Sequence, residues 1–129
     1  MQQDQITSVS PNSTNAVLPA VLRLTLKKKW FDMIASGEKK EEYREIKHYW
    51  MDRLIKKGDP GKWTNKDENG IEFNKYDFVE FRNGYAKTAP TMLVESKGIS
   101  VGKARPEWSE GFSDDCFIIS LGNVVLLTA

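Results

Sequence analysis

Apolar residues in this chain fall into short runs that repeat every second position, and no other feature constrains the fold as strongly. Residues 21–27 (VLRLTLK) put Leu22, Leu24 and Leu26 on one face, as a half-buried strand requires. Residues 76–82 (YDFVEFR), 91–99, 116–121 (CFIISL) and 124–127 (VVLL) read as further strands, the last two apolar enough to form core. Asn83-Gly84 predicts a hairpin turn, and residues 87–90 allow a longer loop there. Only two segments carry a helical pattern. Residues 28–36 place Trp30, Phe31, Met33 and Ile34 on a short amphipathic helix that stops at Gly37. Residues 46–57 place Ile46, Tyr49, Trp50, Met51 and Leu54 inward on a second helix. Strands do not alternate regularly with helices, so a doubly wound parallel sheet is not expected and an α+β fold is, with a small curved or closed sheet.

The chain has 129 residues, which suits one domain. Residues 1–20 are rich in Gln, Asn, Ser and Thr and read as a flexible tail, pinned near Val17 and Leu18. Residues 21–129 form the single domain. Residues 59–70 (DPGKWTNKDENG) carry turn chemistry throughout and read as a mobile loop, with Trp63 either anchoring it or folding over a ligand. Residues 102–115 form another loop, anchored by Trp108 and Phe112.

One cysteine and one histidine give no disulfide and no thiolate zinc site, so neither metal nor cofactor is expected. Cys116 reads as a small buried hydrophobe and His48 as structural. No apolar run reaches the roughly 20 residues that span a bilayer, and the first residues lack a signal peptide's pattern. A cytoplasmic protein without a membrane partner is the expectation. Net charge is +1, yet it is unevenly spread. Residues 21–57 hold eleven basic and six acidic residues, a balance of +5 against −4 elsewhere. Such a segment is either a solvated face or a local attraction for phosphate.

The most informative stretch is Gly37-Glu-Lys-Lys-Glu-Glu-Tyr-Arg44-Glu45, a charged segment between apolar elements. On a strand Lys40, Glu42 and Arg44 share one face. Glu42 can then orient the Arg44 guanidinium as a planar fork for a phosphate, a carboxylate or a base edge. Lys39 faces the other way unless the strand begins after it, which a sharp turn at Gly37 permits. The same residues could instead form an ion pair that closes a strand edge. At the second turn, Arg82 and Tyr85 either border a cleft or serve the fold, Arg82 pairing with Glu80 or Asp77.

Gly37-x-Lys39-x-x-Glu42-x-Arg44 resembles the GxKxxExR signature of the ASCH domain family, in the PUA-like superfamily. The flanking order resembles it too: LRLTLK and a short helix before the motif, then YDFVEFRNGY, MLVESKGI and FIISLG after it. The resemblance covers about residues 21–127. It implies a small PUA-like mixed β-barrel of about five or six strands with two or three short helices beside it. It also implies binding of nucleic acid, above all RNA or a single-stranded or modified nucleotide, in a cleft lined by the signature; Lys39, Glu42 and Arg44 are its central candidates, with Lys40, Arg82 and Tyr85 as second choices from the reading of the residues. Some proteins of this kind are amidohydrolases that cleave N4-acetylcytidine with a Lys, a Thr nucleophile and a Glu. Here the Lys falls on Lys39 and Glu107 or Glu110 are candidates for the Glu, but Glu42 stands at the Thr position. A carboxylate cannot repeat that nucleophile's chemistry without forming an anhydride. The expectation therefore leans away from catalysis, with the hydrolase and a protein-interaction domain as alternatives.

Overall fold

A computed structural model describes residues 17–57 and 71–128. The expectations for residues 1–16 and for the 59–70 loop with Trp63 lie outside the described residues. The elements are β1 (Val21–Leu26), α1 (Lys28–Ala35), β2 (Glu41–Glu45), α2 (His48–Leu54), β3 (Phe78–Asn83), β4 (Thr91–Gly102), a 3-10 turn (Pro106–Trp108) and β5 (Cys116–Thr128). The five strands form one sheet in the order β1-β3-β4-β5-β2. β1 and β3 run parallel and every other pair is antiparallel. The result is a small α+β domain whose sheet curls into a half-barrel, with two helices beside it.

The curl has a local cause. β4 and β5 are the longest strands, and their register slips between Leu93 and Val94, between Val94 and Ser96, and between Ser96 and Gly98. Each slip bends the ribbon and strengthens its twist. Gly98 takes a φ of +120°, a region that only glycine occupies without strain. The long ribbon therefore carries its outer neighbours round toward each other, and the two free edges, β1 and β2, approach across a gap.

The concave face is the core. Leu22, Leu24 and Leu26 of β1 meet Val79 and Phe81 of β3, Met92 and Val94 of β4, and Phe117, Ile119 and Leu121 of β5. Trp30, Phe31 and Ile34 of α1 and Leu54 of α2 close it. Burying each such side chain is worth about 1.5–3 kcal/mol.

Several expectations change. Val125, Leu126 and Leu127 are exposed rather than core, because β2 pairs with β5 only from Cys116 to Ser120 and the strand runs on beyond that cover. Ile46 and Tyr49 are also exposed. α2 begins at His48, which leaves Ile46 outside it, and its core-facing residues are Trp50, Met51 and Leu54. Val17 and Leu18 do not pin the tail. Attachment lies at Ala20, whose N–H donates to Asp77 Oδ2 at 2.8 Å and whose carbonyl accepts from the Asp77 and Phe78 amides. Asn83-Gly84 does not close a two-residue hairpin. Asn83 pairs its amide with the Pro90 carbonyl, so the loop runs on to residue 90.

Replacing Gly98 by Ala should cost about 1–3 kcal/mol, because an L-residue is strained at that φ while no neighbour obstructs the new methyl group. Urea unfolding of Gly98→Ala reads this as a lower midpoint, and an unchanged midpoint would mean that the bend does not rely on glycine.

Candidate ligand cleft

The site begins at the end of α1. Gly37 adopts a φ of +86° and reverses the chain. The Lys39 amide then bonds back to the Met33 carbonyl at 3.0 Å, which folds Lys39 over the helix before β2 starts at Glu41. Lys39 is thereby directed inward, where it is only 1% exposed.

Three charged side chains meet there. Lys39 Nζ lies 2.9 Å from Glu42 Oε1, and Arg44 Nη2 lies 2.8 Å from Glu42 Oε2. Both Glu42 oxygens are thus occupied by cations. Lys39 Nζ also donates to the Glu41 carbonyl. Its ammonium sits 4.9 Å from the Tyr43 ring centroid and 5.5 Å from that of Trp30. Arg44 makes the long-range contact. Its Nη2 donates to the Thr25 carbonyl at 3.2 Å, so one guanidinium from edge β2 reaches edge β1. The guanidinium lies 5.0 Å from the Trp50 ring, while its buried Nε has no acceptor among the described residues.

Desolvation by burial is the largest influence on Lys39. It outweighs the Glu42 carboxylate and holds the ammonium below its ordinary pKa. Tyr43 is pushed the other way, first by burial and then by its hydrogen bond to Glu41 Oε1 at 2.6 Å. Cys116 is likewise raised by burial, which makes it a poor nucleophile.

Between the two sheet edges lies a cleft of about 690 Å³. Its floor holds Glu42, Tyr43 and Arg44, and its walls carry Trp30, Trp50, Trp108 and Phe112. Phe112 meets Tyr43 edge-on at 6.2 Å. The charged lining is balanced, with Lys27, Arg44 and Lys47 against Glu42, Glu45 and Glu110. Lys27 pairs with Glu110 at 2.9 Å and Lys47 with Glu45 at 3.4 Å on the rim. Tyr85, 89% exposed, stands at the mouth.

The structure therefore brings Lys39, Glu42, Arg44, Tyr85 and Glu110 to one place, with Lys39 behind Glu42 rather than on the cleft surface. Lys40 is exposed outside it, its carbonyl paired with the Leu121 amide. Arg82, on β3, donates to the Ala86 carbonyl in the loop that follows, and Glu107 pairs with Arg105 at 3.6 Å. Neither lines the cleft. His48 is exposed, 3.9 Å from Asp52. The sequence reading missed Lys27, Lys47 and Thr25. It took Trp30 and Trp50 as core and Trp108 and Phe112 as loop anchors. These four rings also form the cleft walls, a double use that helical spacing cannot reveal.

No family model, no curated protein and no solved structure matches this chain. Among the described residues no group of three or more His, Cys, Asp or Glu could hold a metal ion, and no helix is long and apolar enough to cross a membrane.

Glu42→Gln should destabilise the fold by about 3–5 kcal/mol, since it leaves two cations facing a neutral amide. Chemical unfolding would show it, and a loss below about 1 kcal/mol would mean the triad contributes little. The pH dependence follows from Lys39. Between its lowered folded pKa and the ordinary 10.5, the unfolded chain binds more protons than the folded one, so stability rises with pH there. The stability difference between wild type and Lys39→Met, followed toward pH 10.5, should therefore grow in favour of wild type. A flat difference would place the folded Lys39 at its ordinary pKa.

Proposed function

We propose that this chain is a single-stranded RNA-binding domain that takes one unstacked base into the cleft between its two sheet edges. The observation that carries the reading is the Glu42–Arg44 pair, held rigidly on the floor of an aromatic-walled cleft. Aromatic side chains stack the faces of unpaired bases, at about 1–3 kcal/mol per base. A fixed carboxylate accepts from a base amino group, and a fixed guanidinium donates to a base carbonyl or ring nitrogen. The balanced charge of the lining suits a neutral polar base better than a free phosphate. The GxKxxExR resemblance supports the same reading, and with it a PUA-like, ASCH-type domain.

Geometry favours binding over acyl transfer. Lys39 is buried behind Glu42, its ammonium is shared by two acceptors, and both Glu42 oxygens are engaged. The Lys39 ammonium is not free to attack a substrate in the cleft, and Glu42, paired with two cations, is a weakened nucleophile that keeps lone pairs to accept a hydrogen bond.

Tryptophan fluorescence reports on the cleft, because Trp30, Trp50 and Trp108 line it. Titration with short single-stranded RNA should quench it, with DNA of the same sequence as the comparison. Arg44→Ala should weaken RNA binding about 10-fold or more, the value of a hydrogen bond to a charged group. A folded Arg44→Ala protein that binds as tightly as wild type, or release of cytidine from N4-acetylcytidine by the wild type, would overturn this reading.

A further inference from the structure

A second groove of about 480 Å³ adjoins the cleft and shares Thr25, Arg44, Lys47, Trp50 and Tyr85 with it. It leaves the cleft along the outer edge of β1, past Arg23 and Tyr49. Its lining differs from that of the cleft. Arg23, Arg44 and Lys47 line it and no carboxylate does, the Glu42 and Glu45 partners of Arg44 and Lys47 lying on the cleft side. The Arg53 guanidinium lies 3.7 Å from the centroid of the Tyr49 ring and adds a further positive charge beside the groove. Arg23 touches Glu80 at 3.2 Å, but its side chain is 71% exposed, so its charge stays open to solvent. An aromatic cleft with a balanced lining thus adjoins a groove whose charged lining residues are all cations.

That division matches the two parts of a nucleotide strand, the flat uncharged base and the repeating phosphate. Resting on the base-binding reading of the cleft, we propose that the second groove is the path of the phosphodiester backbone flanking the bound base. The ligand is then a strand, held by its base at Glu42 and Arg44 and by its neighbouring phosphates at Arg23, Lys47 and Arg53. Tyr85 stands where strand and base part. Cations along such a path act through counterion release, and each single-strand phosphate contact contributes about 0.7 to the slope of log affinity against log salt.

The test uses the full chain and two kinds of probe. One is the four free nucleosides, which carry no phosphate. The other is a set of short single-stranded oligonucleotides of the same four bases. Arg23→Gln combined with Arg53→Gln removes charge from the groove alone, at exposed positions, with circular dichroism confirming the fold. Oligonucleotides are expected to bind more tightly than nucleosides. The double variant should flatten the oligonucleotide salt slope by about 1.4 and leave nucleoside affinity unchanged. An unaltered salt slope, or equal affinity for nucleoside and oligonucleotide, would overturn the groove while the cleft reading stands. If neither probe binds, the cleft reading falls and takes the groove with it.

Discussion

The contact on which this architecture turns is the Arg44 guanidinium, held between Glu42 on its own strand and the Thr25 carbonyl on the opposite edge. A curled sheet with two free edges leaves unpaired backbone groups facing each other across a gap. Here one of them, the Thr25 carbonyl, is met by a charged donor instead of another strand. A strand in that position would have closed the barrel and filled the gap. The arginine satisfies the carbonyl and leaves the space beside it open.

Such a bridge is only as rigid as what holds the arginine. Glu42 is buried, and a lone buried carboxylate would be costly. Lys39 supplies the second cation, and it reaches Glu42 because the Gly37 turn folds it back over α1 before the strand starts. Three ionisable groups therefore share one desolvated site, with Trp30, Tyr43 and Trp50 against the cations. Lys39 is almost fully buried there, and that desolvation lowers its pKa despite its partner. The open space lies on the other side of the same carboxylate, where the cleft begins.

Much of the fold could be read locally. Leu22, Leu24 and Leu26 announced a strand by their period of two and are all buried. The first helix and its glycine stop were equally clear. Errors arose where pattern and neighbourhood part. Val125–Leu127 look like core because they are apolar, but they outrun the strand that would cover them. Tyr49 looks inward-facing by spacing, yet its ring carries Arg53 at the surface. The register slips in the β4–β5 ribbon depend on the pairing of two strands, and only their glycine leaves a trace in the sequence.

The sequence by itself determined most of the strands and both α-helices, though it split Cys116–Thr128 into two strands, and it placed Lys39, Glu42 and Arg44 within six residues of one another, so that a turn and one short strand could gather them. Tertiary structure decided what that cluster faces. Thr25, Trp50, Tyr85 and Trp108 come from separate elements, and no local periodicity relates them. They meet because bends in one long ribbon carry the sheet's edges together. The same curvature sets Lys27 and its partner Glu110 at the cleft and turns Arg23, Lys47 and Arg44 toward the groove, with their carboxylate partners outside its lining. Side-chain period is set by backbone geometry within a strand or helix, whereas the apposition of distant side chains depends on how strands pair and bend.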